Sequence, residues 1–257
     1  MFGGLLREFR GRCGEMLVQL DPRLRGLFER AMPGVRFFDR GTVVDEALYD
    51  EQIPLGSLAQ YLRPNRESFA GRGGAYLAAQ PALREHFRAR MNLQANERVI
   101  GLSWKSAAPE TGAARSLALE ELLGACRDLP NLRFVNLQYG EVAADLERVK
   151  AQLGIEVYHE SEVDNRNDLE GLAGLIDACD EIISVGNATA HLSGALGKKT
   201  LVLLPFVAGW RWLHEGERCP WYDSVTLLRQ TVRDDWSAVL AQVNGRLSLQ
   251  CCSRSSA

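Results

Sequence analysis

The chain has 257 residues, of which 46% are hydrophobic and 25% are charged, so it is long enough to bury a sizeable core. Its formal net charge of −3 provides no long-range positive field that would attract nucleic acid or an anionic membrane surface. No apolar run reaches the roughly 20 residues that span a bilayer, and no cleavable leader follows Met1. These features predict a cytoplasmic protein without a transmembrane segment or a nucleic-acid partner.

The first 92 residues begin with an alternating α/β pattern. Apolar periodicity and capping signals predict a helix over 2–12, a strand over 15–20, a helix over 21–31 that begins at Asp21 and Pro22, and a strand over 35–38. Residues 41–74 lose this regularity and are predicted to form loops and short helices, followed by a helix over 81–91. Such alternation is typical of a parallel α/β sheet.

From residue 93 the alternation becomes more regular. Strands are predicted over 99–104, 133–137, 156–158, 181–185 and 200–204. The helix predicted over 168–179 has its apolar residues on one face, with Asn167 and Glu170 as an approximate capping box. A last helix is predicted over 234–247. We therefore predict two domains, 1–92 and 93–248, and a disordered tail over 249–257.

Six cysteines occur in the chain, and none of them has metal-ligand spacing. Cys126 and Cys179 fall on apolar helical faces, as small buried residues would in a reducing cytosol. No group of histidines and carboxylates has metal-ligand spacing either. We therefore expect neither a metal ion nor a cofactor.

Candidate binding residues follow the predicted strands of the second domain, because an open parallel sheet binds ligands beyond the carboxyl ends of its strands. The candidates are Trp104, Lys105, Arg115, Gln138, Tyr139, Gly186, Asn187, Ala188, Thr189, His191 and Arg211. Amides, hydroxyls, aromatic rings and cations would thus meet at one edge of the sheet. Polar groups that converge in a cleft favour a ligand site.

The segment 184–197 passes from a strand through a turn of small residues into a helix. Small side chains would leave the first backbone N–H groups of the helix open to an anion, and we expect a phosphate there. Alternatively, the residues are small only because the helix packs tightly on the sheet. Lys105 and Arg115 bracket an apolar loop on the same edge, which favours the phosphate interpretation.

Two of the candidates have a second interpretation. Arg211 lies between Trp210 and Trp212, and packing against the indole rings would be sufficient reason for it. His191 lies one turn inside the predicted helix, where it faces a sugar or phosphate oxygen or serves as a half-buried structural histidine. The residues alone leave both alternatives open.

Ordered segments along nearly the whole chain match a known pattern. They are residues 21–24 with 27–30, 49–50 with 53–58, 101–105, 115–117, 137–140, 187–192 with 194–198, 203–206, 210–212, 220–222 and 235–236. In these segments the chain resembles bacterial glycosyltransferases of the heptosyltransferase-like group, family 9. It resembles in particular the version found at the C-terminal end of tetratricopeptide-repeat proteins.

The resemblance implies a GT-B fold, in which two Rossmann-like domains face each other and the second holds most of the nucleotide donor. It also implies metal-independent sugar transfer with inversion. Lys105 and Arg115 would then be charge partners of the departing diphosphate, and residues 187–191 would donate hydrogen bonds to it. Gln138 and Tyr139 would border the nucleotide.

The sequence departs from the family pattern at two places. Many relatives carry Asp or Ser where this chain has Gly186, so one polar contact to the donor is expected to be missing. The family's first strand and glycine-rich loop would precede Met1. We therefore expect an incomplete and less stable N-terminal domain, association into homo-oligomers as a way to support it, and poor sugar transfer. The catalytic base is unassigned, with His191, Asp50 and Glu51 as candidates.

Three functions are consistent with these observations. The first is a glycosyltransferase that moves a sugar from a nucleotide-diphosphate donor to a glycan, a lipid-linked sugar or a protein. The second is a GT-B-like binding or scaffold module with weak or no turnover. The third is a nucleotide-sugar epimerase or hydrolase of similar fold.

Overall fold

The structure, a computed structural model, describes residues 1–254. The α-helices are α1 (Gly3–Phe9), α2 (Arg25–Ala31), α3 (Leu58–Leu62), α4 (Pro81–Arg90), α5 (Gly112–Arg115), α6 (Leu119–Gly124), α7 (Ala143–Leu153), α8 (Leu169–Ala178), α9 (Ala188–Ala195) and α10 (Ser237–Arg254). The strands are β1 (Leu17–Leu20), β2 (Arg36–Asp39), β3 (Arg98–Ser103), β4 (Leu132–Asn136), β5 (Val157–Tyr158), β6 (Glu181–Val185), β7 (Thr200–Leu204) and β8 (Val225–Arg229). The α/β alternation predicted from the sequence is confirmed.

A six-stranded parallel sheet with the order β5-β4-β3-β6-β7-β8 organises the second half of the chain. The chain moves outward from β3 in one direction and outward from β6 in the other. The order therefore reverses between these two strands, where Ser103 lies opposite Ser184. In doubly wound sheets, such a reversal opens a crevice at the carboxyl ends of the strands.

The edge strand β8 was not among the predicted strands. It pairs with β7 in parallel, and the segment around Glu217 and Arg218 contacts its outer edge, where Leu227 N donates to Glu217 O at 2.8 Å. Thr226 and Arg229 interrupt its apolar character, so the segment lacks the continuous apolar run of a central strand. Short edge strands of this kind give a weak periodic signal.

The start of α8 differs from the predicted capping box. The Asp168 side chain caps the helix by accepting a hydrogen bond from Gly171 N at 2.8 Å. Asn167 instead donates to Asp164 at 2.7 Å, and Glu170 forms an ion pair with Arg30 at 2.8 Å. The capping box is therefore wrong, because both of its members have partners elsewhere.

The last helix is longer than predicted. α10 continues to Arg254, so residues 249–254 of the predicted disordered tail are helical, and residues 255–257 lie outside the described residues. No glycine or proline stands between residues 246 and 254 to end the helix. Although α10 has 18 residues, neither it nor another helix of the described chain is long and apolar enough to cross a bilayer.

Both faces of the large sheet are covered. In one core, the side chains on one face of β3, β6 and β7 pack against α6, α7 and α10. The other core is shared by the two halves of the chain, since it contains Leu5, Leu27 and Phe28 together with Leu172 and Tyr222. The first half contributes only a two-stranded parallel sheet, β1 with β2, so burial against the second half supplies much of its apolar contact.

The segment that joins the two halves is tied to the end of α9. Tyr76 N and Leu77 N both donate to Ala195 O, at 2.9 and 3.0 Å. The ion pair between Arg30 and Glu170 adds a charged contact between the halves. The first half is therefore held beside the helix that begins at the carboxyl edge of β6.

The cysteines that we predicted to be buried are buried. Cys126 and Cys179 are each 1% exposed. Burial raises the pKa of each thiol to about 12, because the thiolate would have to leave water. At neutral pH both therefore remain thiols that fill the core.

Candidate functional site

The side chain of Asn187 joins the two strands at the crevice. Its Nδ2 group donates to the Ser103 hydroxyl at 2.8 Å and to Lys105 O at 3.0 Å. Its Oδ1 atom accepts from the Ser184 hydroxyl at 3.1 Å. Asn187 is only 7% exposed, and both amide hydrogens are used inside the protein. The structure thus assigns the side chain a framework role, and its contact with a ligand stays a prediction.

The start of α9 is only partly open. As predicted, Asn187 caps the helix, because its Oδ1 atom accepts from Thr189 N at 3.0 Å and from Ala190 N at 3.4 Å. The Ala188 N–H, by contrast, has no hydrogen-bond partner among residues 1–254, and Ala188 is exposed. An N-cap side chain satisfies the second and third N–H groups of a helix and leaves the first one free. The anion site predicted here thus depends on the Ala188 N–H rather than on several open donors.

Gln138 shapes the loop that follows β3. It is 3% exposed, and its Oε1 atom accepts from Ser103 Oγ at 3.1 Å, Trp104 N at 3.0 Å and Lys105 N at 2.8 Å. Burial and these three bonds hold the amide inside the protein, and its position beside a nucleotide stays a prediction. Thr189 is also buried, since it is 1% exposed and its hydroxyl donates to a backbone carbonyl.

Trp104 also belongs to the core rather than to a binding surface. Its side chain is fully buried, and its Nε1 atom donates to Asp145 Oδ2 at 3.1 Å. A large apolar ring following a central strand is stabilised by burial against the helices, and a ligand contact of Trp104 stays a prediction.

Asp145 is a residue that the sequence analysis missed. Besides Trp104 it contacts Lys105 Nζ and Arg148 Nη2. Burial raises the pKa of Asp145, but the hydrogen bonds from Lys105 and Trp104 outweigh burial and hold that pKa below its usual range. The sequence contained a signal for the burial of Asp145. This residue lies three residues after Val142 and four before Val149, on the apolar face of α7.

Seven of the candidate residues remain partly or fully exposed. They are Lys105, Arg115, Tyr139, Gly186, Ala188, His191 and Arg211. Of the Lys105 side chain, 44% is exposed beside its carboxylate partner. The Tyr139 hydroxyl accepts from Ala107 N at 3.0 Å and so supports the loop after β3. The Arg211 guanidinium lies 4.8 Å above the Trp210 ring, which is the packing arrangement considered above as an alternative.

Arg115 is a half-buried cation without an ion pair. It ends α5, and it forms neither a hydrogen bond nor a salt bridge with another residue of the described chain. Its Nη2 atom lies 3.6 Å from the position that a Cβ atom at Gly209 would take. The guanidinium therefore reaches from the loop after β3 to the loop after β7, across the carboxyl edge of the sheet. A positive charge at this place is available to an anion.

His191 is held as a neutral imidazole. Its ring stacks on Trp212 with a centroid distance of 4.7 Å and an angle of 7°, and Nδ1 lies 3.2 Å from the Tyr222 hydroxyl. Burial lowers the pKa of His191 to about 3, and the positive charges of Met1 and Arg211 act in the same direction. Nε2 has no partner in residues 1–254. A group with so low a pKa is a weak base at neutral pH, so His191 is suited to a hydrogen bond rather than to proton abstraction.

Asp50 and Glu51, the other candidates for a catalytic base, lie in the exposed loop between β2 and α3. None of the hydrogen bonds or ion pairs of the described chain links either of them to the crevice. The structure therefore does not bring these carboxylates together with Arg115 or His191. Their catalytic role stays a prediction.

We expect His191 to make stability depend on pH. The folded pKa of about 3 lies below the unfolded value near 6.5, so the unfolded state binds a proton that the folded state does not. Stability is complete above about pH 6.5 and falls as the pH is lowered toward about 3. Urea unfolding between about pH 7 and pH 5 should show a smaller loss for His191→Asn than for the unchanged chain. Equal losses would contradict a neutral buried imidazole, and the Met1 amine is common to both proteins.

Comparison with characterised proteins gives one related sequence. No protein-family model matches the chain. The chain is 29% identical to Protein FlbA of Caulobacter vibrioides, and the alignment covers 95% of this chain and 43% of FlbA. The chain thus spans less than half the length of this curated relative.

Two solved structures share the fold. The first is E. coli ADP-heptose lps heptosyltransferase II, with a TM-score of 0.59 and 14% identity over 97% of this chain and 94% of that one. The second is the glycosyl transferase family 9 protein of Veillonella parvula, with a TM-score of 0.51 and 14% identity over 97% of this chain and 78% of that one. Identity at this level shows the fold alone. The GT-B-like α/β fold with parallel sheets is confirmed.

Proposed function

We propose that this chain binds a nucleotide-diphosphate-sugar and acts as a glycosyltransferase or as the donor-binding part of one. The observation that carries the proposal is Arg115, a cation without a partner in the described chain, at the carboxyl edge of a GT-B-like sheet. Ligands of doubly wound sheets bind where the strand order reverses, and here that is the crevice between β3 and β6. We propose that the sugar transfer takes place in the cytoplasm. We also expect the transfer to need neither a metal ion nor a cofactor.

In this proposal, the protein stabilises the negative charge that develops on the departing diphosphate. Arg115 supplies a full positive charge, and the Ala188 N–H supplies a backbone donor at the positive end of α9. Lys105, which lies two residues after the end of β3, adds charge, although its pairing with Asp145 reduces its effect. Neutral His191 offers Nε2 for a hydrogen bond to the donor.

Transfer with inversion also requires a base that takes the proton of the acceptor hydroxyl. We propose Asp50 and Glu51 as the first carboxylates to test, because they lie in the half of the chain that the resemblance assigns to the acceptor. The acceptor would be a glycan, a lipid-linked sugar or a protein. Association with tetratricopeptide repeats stays a prediction.

A binding or scaffold module is the second candidate. The observation in its favour is the low pKa of His191, about 3, which makes this residue of the crevice a weak base at neutral pH. Such a module would bind the nucleotide donor through the same crevice but would release it unchanged.

The experiment is a thermal-shift panel of nucleoside diphosphates and their sugar conjugates, followed by product analysis with the best ligand. A ligand at 100 times its dissociation constant adds about 2.7 kcal/mol to stability, which is readily measured. Binding followed by transfer to an acceptor supports a glycosyltransferase, whereas binding without turnover supports the module. Epimerised or hydrolysed sugar supports the third function. If no nucleotide stabilises the chain, the proposed function is wrong.

A further inference from the structure

Trp212 occupies the space beside the turn that begins α9. It ends the 3-10 helix Trp210–Trp212 and is only 4% exposed. Its Nε1 atom lies 2.9 Å from the position that a Cβ atom at Gly186 would take. Non-bonded heavy atoms rarely lie within 3 Å of a real Cβ atom. Position 186 therefore accommodates glycine and no larger residue, because the indole nitrogen fills the space where a side chain would begin.

The indole N–H of Trp212 has no hydrogen-bond partner in the part of the chain that the structure describes. Nε1 donates no hydrogen bond to any residue between 1 and 254, and it is not among the unpartnered side-chain atoms closed off from solvent. Trp104 provides the contrast, because its buried Nε1 atom donates to Asp145 at 3.1 Å. Buried tryptophans usually find an acceptor for this group. The Trp212 N–H is therefore open to solvent or to a bound ligand.

We propose that the Trp212 indole N–H binds a phosphate oxygen of a nucleoside diphosphate at the turn formed by residues 186–188. This inference rests on the proposed function and adds a specific contact to it. Trp212 Nε1 approaches Gly186 from the loop after β7, and the free Ala188 N–H follows Gly186 by two residues, so in this proposal an anionic oxygen at the turn accepts from both. The contact that a side chain at position 186 cannot make is supplied by Trp212 instead.

The chemistry of this contact selects for an anion. An indole N–H only donates a hydrogen bond, so it favours a ligand group that only accepts, such as a phosphate oxygen. The glycine and the tryptophan thus act as a matched pair, in which Gly186 leaves room and Trp212 supplies the donor. The same indole ring stacks on His191 at 4.7 Å and so also positions the imidazole.

The variant Trp212→Phe separates these two roles, because phenylalanine keeps an aromatic ring against His191 but has no N–H group. We expect its affinity for uridine, guanosine or adenosine diphosphate, whichever binds best, to fall roughly ten-fold. The melting temperature without nucleotide should fall moderately, because the smaller ring leaves a cavity in the core, so affinity is compared at a temperature where both proteins are folded. The double variant Gly186→Ser with Trp212→Phe should regain part of the affinity, since the smaller ring makes room for a serine hydroxyl.

Indole N–H signals in a ¹⁵N-labelled protein provide a readout that a purely structural role would not change. On addition of the nucleotide, the Trp212 signal should move, whereas the signal of fully buried Trp104 should stay in place. The measurement uses the unchanged chain, and its indole signals are assigned through backbone connectivities. The result therefore does not depend on whether Trp212→Phe folds.

The outcomes separate this inference from the proposed function. If the nucleotide binds the unchanged chain but the Trp212 signal does not move, or if Trp212→Phe binds as well as the unchanged chain, the inference is wrong and the proposed function stands. If no nucleoside diphosphate binds the unchanged chain, the proposed function is wrong and this inference falls with it.

Discussion

Replacing Asn187 with alanine is expected to lower the free energy of unfolding by about 3 kcal/mol. Alanine removes the cap of α9, and it also removes the bond to Ser103 at the end of β3, at 2.8 Å, and the bond to Lys105 in the loop that follows, at 3.0 Å. The Ser103 hydroxyl is 1% exposed, so it loses a partner in a place that water does not reach. The measurement is urea unfolding at neutral pH.

Asn187→Ser is the matched control for this prediction. Serine is a good N-cap residue, so it retains the acceptor for the helix but lacks the amide donors to Ser103 and Lys105. We expect its stability to fall between that of the unchanged chain and that of the alanine variant. Loss of only about 1 kcal/mol in Asn187→Ala would mean that the side chain acts as a cap and nothing more.

Replacing Arg115 with alanine is expected to weaken nucleoside diphosphate binding ten-fold or more. A hydrogen bond between ionised groups contributes about 1.5 to 3 kcal/mol, which corresponds to at least a ten-fold change in the dissociation constant. Stability without ligand should hardly change, because Arg115 has no ion pair or hydrogen bond to lose in the described chain. Isothermal titration calorimetry and urea unfolding measure the two quantities on the same protein.

Two further variants test whether the effect is local. Arg127→Ala removes a positive charge between α6 and β4, at the opposite edge of the sheet, where its guanidinium pairs only with exposed Asp128. The affinity of the Arg127→Ala variant for the nucleoside diphosphate should equal that of the unchanged chain. Lys105→Ala should weaken binding and also reduce stability, because it removes a partner of buried Asp145. If Arg115→Ala and Arg127→Ala bind equally well, Arg115 does not belong to the site.

The variants also distinguish ligand contacts from the framework that holds them. Asn187 and Gln138 are buried and use their amide groups inside the protein, so their replacement should act first on stability. Arg115 and the Trp212 indole N–H have no partners in the described chain, so their replacement should act first on affinity. A site of this design separates the groups that bind from those that position the loops.

Local features of this protein were determined by the sequence itself. The strands and helices follow apolar periods of two and 3.6 residues, and Asn187 caps α9 through N–H groups only two and three residues away. Gly197 follows α9 with a φ of +73°, a conformation that glycine adopts at little cost. Interactions over so short a distance along the chain depend little on the rest of the fold, so they can be predicted from a few neighbouring residues.

Only the tertiary structure decided which polar side chains remain free to bind a ligand. Trp104 and Asp145 lie 41 positions apart in the chain, and Asn187 and Ser103 lie 84 apart, yet both pairs are hydrogen-bonded. Gly186 directly follows β6, and Trp212 lies in the loop after β7. These two residues meet only because β6 and β7 end at the same edge of the sheet. Amides, carboxylates and cations form hydrogen bonds with the polar groups that the fold brings within about 3 Å of them. The spacing of residues along the sequence does not predict these distances.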